Sequence, residues 1–319
     1  MKEDNTNVAG GGKAGLEGVG ADEGRRLLGP KEFDVTSVKN RIADIRYGTL
    51  PEQLLDVYVP EDTKGPLPVI FYVHGGGWMM GSKTLAFLDG IIGLIEHGYA
   101  VISVDYRLAP KTTFPEFLFD VKTAVRWARA NAAEYGFDPE RFGMAGDSAG
   151  GHIALMMGFT ADRPEYAGES YGWKGVSDGL QAICDMYGPS ILAESAAQYY
   201  RESGVARSPV DVLDRASTYK RTFGTNNTNL LRLISPISLV HKDIPPVLIM
   251  HGVKDGVVPF QHSTLLDEKI KEVCGEGRSR LILYDDRNHA DQGFNTKQNS
   301  DTLAGFFDCY LKRSSPTRE

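Results

Sequence analysis

Short apolar runs bounded by proline, glycine or polar turns recur along the chain. Pro68-Val69-Ile70-Phe71-Tyr72-Val73, Leu180 to Tyr187, Pro246 to Gly252 and Arg280 to Tyr284 are too short for buried helices and are predicted as strands. Arg141 to Ala145 is another strand-like run. Helical periods fall between and after them: Phe114 to Tyr135 places Val121, Ala124, Val125 and Ala128 on one side, His152 to Phe159 is largely apolar, and Thr302 to Leu311 closes the pattern. This alternation predicts an α/β fold with a mostly parallel central sheet and helices on both faces. The 319 residues suffice for one such domain, which would bury about three quarters of the surface its unfolded chain exposes.

Two segments depart from the alternation. Residues 1–30 are rich in glycine and charge and poor in large apolar groups, so they are expected to form a flexible segment ahead of a single domain at 31–319. Arg25-Arg26-Leu27-Leu28 is the stretch there that could begin an arm packing over the body. Gly188 to Arg232 is longer than a strand-to-helix crossover requires and carries Tyr199, Tyr200, Tyr219 and Phe223. A small cap insertion near 188–232 is expected there; the plainer alternative is a pair of surface helices with packed aromatics.

Chemistry concentrates at the ends of the predicted strands. Gly146-Asp147-Ser148-Ala149-Gly150-Gly151 lies between a strand-like and a helix-like run, the setting of a strand-turn-helix elbow. Ser148 is the candidate nucleophile, and Gly146 and Gly150 remove the side chains that a sharp turn would bring into collision. His74-Gly75-Gly76-Gly77-Trp78 follows the strand ending at Val73. A triple glycine there lets backbone amides approach an oxygen on which negative charge develops. The amides of Gly76, Gly77 and Ala149 are the expected oxyanion donors.

Asp255 and His289 each fall on a loop after a predicted strand. The order Ser148, Asp255, His289 supplies a nucleophile, an acid that fixes the imidazole, and a base that takes and returns the serine proton. Asp285 and Asp286 lie near His289 in sequence, but a residue so close on the same loop seldom orients the ring from behind. His74, His97, His152, His241, His251 and His262 read as structural or peripheral. Asp147 is expected to point away from the serine and hold neighbouring loops, or else to be an exposed turn residue. Trp78, Met79 and Tyr187 are the candidate substrate-binding residues, with a core role the alternative for Trp78.

On these residues the chain resembles the α/β-hydrolase carboxylesterases, in the hormone-sensitive-lipase-like and acetyl or feruloyl esterase-like branches. The resemblance also rests on Gly81-Ser82, Asp105-Tyr106-Arg107-Leu108-Ala109-Pro110, Phe137-Asp138-Pro139-Glu140-Arg141, Ser235-Pro236-Ile237, His251-Gly252 and Val258-Pro259, and it spans roughly residues 43–311. It implies the α/β-hydrolase fold and a serine carboxylesterase of short-chain or small aryl or carbohydrate esters, with neither metal nor organic cofactor. Lys254-Asp255-Gly256-Val257-Val258-Pro259 and His289-Ala290-Asp291 depart from the Asp-Pro-Leu and His-Gly-Phe settings frequent in the lipase-like branch, and lean toward the other. An amidase or formamidase on the same scaffold and a non-catalytic ligand-binding receptor remain as alternatives. A prolyl-oligopeptidase would bring a propeller domain for which this chain has no room.

Composition narrows the partners. A net charge of −7 without a basic cluster argues against nucleic acid and anionic membranes and modestly favours neutral substrates; a small-molecule ester as the partner is what the resemblance implies. Cys184, Cys274 and Cys309 are odd in number and widely spaced, so they are expected to be reduced and packed. The N-terminal residues carry no apolar signal segment and no window reaches membrane-span length, which predicts a cytoplasmic protein. Arg280 to Leu311 offers an edge at which a homodimer could form, with a chain that works alone the equal alternative.

Overall fold

The computed structural model describes residues 32–62, 65–85, 87–168, 171–192 and 219–312. The segment expected to be flexible at 1–30 lies outside the described residues, as does the middle of the expected cap, 193–218.

Eight strands form one open sheet: β1 (Arg41–Arg46), β2 (Leu54–Tyr58), β3 (Leu67–Val73), β4 (Ala100–Val104), β5 (Phe137–Asp147), β6 (Ala182–Met186), β7 (Val247–Gly252) and β8 (Ser279–Tyr284). Their spatial order is β1-β2-β4-β3-β5-β6-β7-β8. β1 and β2 pair antiparallel at one edge, β2 joins β4 antiparallel, and every pairing from β4 to β8 is parallel. The principal helices are α1 (Leu88–Ile92), α2 (Glu116–Ala130), α3 (Ala132–Tyr135), α4 (Ala149–Phe159), α5 (Thr228–Leu233), α6 (Gln261–Cys274) and α7 (Lys297–Leu311).

The uniformly apolar runs are strands because both faces of the sheet are covered. Every residue of β3, β4, β6 and β7 is buried. The two-residue period survives in where the side chains go. Val69, Phe71 and Val73 enter a core with α2, α4 and α6, whereas Ile70 and Tyr72 enter a second core with α1 and α7. β1, at the edge, is mostly exposed and is tied to β2 by an Arg41–Asp56 ion pair of 2.6 Å.

Two helices differ from the sequence pattern. The period across Phe114 to Tyr135 is interrupted at Asn131, which leaves helical geometry and donates its side-chain amide to Trp127 O at 2.7 Å, dividing α2 from α3. α7 starts at Lys297 rather than Thr302 because Thr296 caps it, accepting from the Asn299 amide. All three cysteines are free; Cys184 is buried and Cys274 half-buried, but Cys309 is exposed on α7, contrary to the expectation that all would be packed. No helix among the described residues is long and apolar enough to cross a membrane.

Candidate active site

The parallel strands β3, β5, β6, β7 and β8 are neighbours, and their carboxyl ends are aligned by register: Val73 pairs with Gly146, Asp147 with Met186, and Gly252 with Tyr284. Loops leaving these ends therefore meet at one rim, the usual location of a ligand crevice in an open α/β sheet.

Ser148 stands between β5 and α4 with φ 51° and ψ −117°. A non-glycine residue at positive φ is strained, and surrounding structure must hold it there. The Ser148 amide donates to Met186 O at 2.8 Å, and its carbonyl accepts from the His152 amide at 3.1 Å. The flanking glycines are sterically required. A Cβ at Gly146 would lie 2.2 Å from Gly150 O, and one at Gly150 would lie 2.0 Å from Val73 O.

From this elbow a chain of contacts runs through the imidazole. Ser148 Oγ lies 3.0 Å from His289 Nε2, and His289 Nδ1 lies 2.7 Å from Asp255 Oδ2. The Asp255 carboxylate is buried, and its Oδ1 accepts the amides of Val257 and Val258, both at 2.8 Å. Burial alone would raise its pKa, but hydrogen bonds from His251 and His289 outweigh it and hold the group well below the usual carboxylate range. Asp255 thus stays an anion beside the ring, able to fix its tautomer and stabilise an imidazolium. Asp285 and Asp286 are exposed, and it is Asp255 that reaches His289.

The glycine loop after β3 turns through angles that only glycine adopts without strain. Gly76 and Gly77 have φ of 108° and 61°, and Gly76 O accepts the amides of Met79 and Met80, each at 3.1 Å. A Cβ at Gly76 would fall 2.1 Å from Met80 O. Ala149 opens α4, so its amide belongs to the electropositive first turn of that helix.

Asp147 anchors the loop from beneath. Its Oδ1 accepts Tyr72 Oη at 2.7 Å and the Gly75 amide at 2.9 Å. It is buried, as expected of a loop-holding residue and unlike an exposed turn. Burial raises its pKa to about 6 against the opposing hydrogen bonds from Tyr72 and Gly75. His74 is also scaffold: its ring stacks on Tyr106 at 4.4 Å, Tyr106 Oη donates to its carbonyl at 2.9 Å, and burial lowers its pKa to about 4.

Two residues expected at the substrate pocket are instead packed behind the loops. Trp78 is only 5% exposed; its indole Nε1 donates to His152 Nδ1 at 3.3 Å and its ring meets Phe223 edge-on at 5.1 Å. Tyr187 is fully buried, with ring centroids 5.0 Å from His289 and 4.7 Å from Phe294. Both have positive φ, 61° and 47°, so neighbourhood in sequence did not reveal where their side chains point. Met79 is half-buried and Met80, beside it, is 53% exposed. His251, structural on sequence grounds alone, also reaches the acid: its Nε2 lies 3.2 Å from Asp255 Oδ2. The available signal was its position four residues before the acid at the end of a buried strand.

Comparison with known proteins agrees with this architecture. Residues 55–270 match the BD-FAE family. Esterase LipC of Mycobacterium tuberculosis (strain ATCC 25618 / H37Rv) is 35% identical over 231 residues, covering 72% of this chain and 55% of that protein. The chain spans about half the length of the curated relatives it matches, 52% of esterase LipQ and 58% of a probable isoprenylcysteine alpha-carbonyl methylesterase of rice, Oryza sativa subsp. japonica, being further cases. Among solved structures, a truncated carbohydrate esterase from gut microbiota superposes with a TM-score of 0.74 at 24% identity, covering 89% of this chain and 100% of that one. An esterase of the planctomycete Thermogutta terrifontis, solved with butyrate bound, gives 0.66 at 25% identity over 86% of this chain and 96% of its own. The sheet, the elbow and the family match converge: the chain has the α/β-hydrolase fold and belongs to the BD-FAE family.

Proposed function

We propose that this protein is a serine carboxylesterase that cleaves small esters through an acyl-enzyme. The observation that carries the reading is the continuous contact from Ser148 Oγ through His289 to the buried Asp255, 3.0 Å and 2.7 Å long, starting at a strained elbow. Ser148 Oγ attacks the ester carbonyl as His289 Nε2 accepts its proton. The carbonyl oxygen becomes an oxyanion, for which the amides of Gly76, Gly77 and Ala149 are the donors. His289 then returns the proton to the departing alcohol, and water, deprotonated by the same nitrogen, releases the acid. Asp255 remains ionised throughout.

Short-chain acyl groups on aryl or carbohydrate alcohols are the proposed substrates. The butyrate-bound esterase supports a short acyl group, and the names of the curated relatives, esterases and methylesterases, support ester rather than amide cleavage. Residues 31–319 would form one hydrolase domain, with the insertion near 188–232 as its cap and residues 1–30 as a separate segment.

The test is turnover of p-nitrophenyl esters from acetate to decanoate by the wild type and by Ser148→Ala. Short esters should be hydrolysed, and the variant should lose about 10⁴- to 10⁶-fold in kcat with its fold intact. Turnover that survives the substitution, or a folded wild type inert toward every ester, would overturn the proposal.

A further inference from the structure

Asp255 holds more hydrogen bonds than the catalytic contact requires. An ionised carboxylate has about four lone-pair positions, and here all four have donors. Oδ1 takes the amides of Val257 and Val258; Oδ2 takes His289 Nδ1 and His251 Nε2. His251 is fully buried at the end of β7. Its Nε2 faces only acceptors, Asp255 Oδ2 at 3.2 Å and Val258 O at 2.8 Å, so that nitrogen carries a proton and donates. Its Nδ1 lies 2.7 Å from Ser263 Oγ on α6, whose hydroxyl can donate to it, and the Tyr187 ring meets it edge-on at 6.4 Å.

These contacts close a loop. The turn 255–258 folds its amides onto one carboxylate oxygen, and His251 grips both the other oxygen and the carbonyl that ends the turn. We infer that His251 is a positioning residue for the proposed triad, fixing the orientation of the Asp255 carboxylate and, through it, the His289 ring. The inference rests on the esterase reading and extends it to a residue that touches neither serine nor substrate. Ser263, by donating to Nδ1, keeps the His251 proton on the nitrogen that faces the acid.

Removing the imidazole leaves one lone pair of a dry carboxylate empty and frees the carboxylate to rotate. His251→Leu should lower kcat by about tenfold to a hundredfold, the range that loss of one hydrogen bond to a charged group commands, with KM unchanged. His251→Gln, whose side-chain amide can donate to both oxygens, should recover most of the loss. Asp255→Ala leaves nothing to orient, so adding His251→Leu to it should cost nothing further. A merely structural histidine would multiply the losses. In ¹H NMR the His289 Nδ1 proton should move downfield in His251→Leu, because Oδ2, left with one donor, holds it more strongly.

The inference is overturned if Ser148-dependent turnover is indifferent to His251→Leu, if the loss persists in the Asp255→Ala background, or if a stably folded His251→Gln is as impaired as the leucine variant. Should the leucine variant fail to fold, the glutamine variant and its product with Asp255→Ala decide alone. Failure of the esterase reading would look different: turnover would be absent or would survive Ser148→Ala, and the NMR shift alone would then support or overturn the link from His251 through Asp255 to His289.

Discussion

Asp147 offers a quantitative test of how the glycine loop is held. Burial displaces its pKa from an ordinary 3.8 to about 6, and both of its hydrogen bonds, from Tyr72 Oη and the Gly75 amide, fall on Oδ1. Asp147→Asn can keep an oxygen in that position and both bonds with it, while removing the charge that burial penalises. In the wild type the native state holds the Asp147 proton between pH 3.8 and about 6, whereas the unfolded chain has released it. Native stability from this group therefore falls as pH rises through that window and is level above it. At about 1.4 kcal/mol for each pH unit, the displacement amounts to about 3 kcal/mol at neutral pH. Urea unfolding of both proteins at pH 4, 5, 6 and 7 should show the difference, asparagine variant minus wild type, rising by about that amount and then flattening. Taking the difference cancels the histidine titrations common to both. A difference that stays constant or falls with pH would refute the claim that the carboxylate is buried at this cost. By contrast Asp147→Ala orphans two buried donors at about 1–3 kcal/mol each, and should destabilise at every pH and cost esterase turnover.

Two further outcomes follow from neighbouring residues. Gly150→Ala would place a methyl group 2.0 Å from the carbonyl of Val73 and 2.7 Å from that of His74, backbone atoms that cannot turn aside. About 1–3 kcal/mol of strain is expected, lowering the melting temperature and displacing the strand end that carries the glycine loop, so kcat should fall as well; unchanged melting and turnover would refute it. Burial lowers the pKa of His152 to about 3, so the native state excludes a proton that the unfolded chain binds near pH 6.5. Its contribution is present above pH 6.5 and lost as the pH falls toward 3, and His152→Gln should show a shallower acid loss of stability by urea titration than the wild type.

Much of the architecture was legible because burial on both faces leaves a plain signature. β3, β6, β7 and β8 coincide with the apolar runs to within about two residues, the ordinary uncertainty of element ends. β1, β2 and β4 were not individually read; β1 is mostly exposed at a sheet edge and carries no apolar run to betray it. At the site, Ser148, Asp255 and His289 were legible because an elbow needs glycines at fixed offsets and the other two follow strands that end at the same rim. Side-chain direction was not. Trp78 directly follows the glycine loop and Tyr187 directly follows the strand next to the one that leads into Ser148, yet their left-handed backbones go with side chains buried in the core. His251 reads as structural in the sequence because its contacts are to a carbonyl and a carboxylate brought together by a turn, which no spacing rule for histidine encodes.

The contact between Trp78 and Phe223 sets a rule for building hybrids. Phe223 also meets His152 at 5.8 Å and Phe117 at 6.2 Å, so this one ring touches the glycine loop, α4 and α2 at once. An exchange of sequence with a relative that ran from the end of β6 through residue 223 would swap out a ring that belongs to the receiving scaffold, and the glycine loop would inherit a mismatched neighbour. Placing the downstream junction before residue 219 keeps Tyr219 and Phe223, themselves 5.8 Å apart, with the tryptophan that Phe223 packs against. A library of chimeras cut on the two sides of that boundary would separate the effects of new specificity from those of a broken foundation.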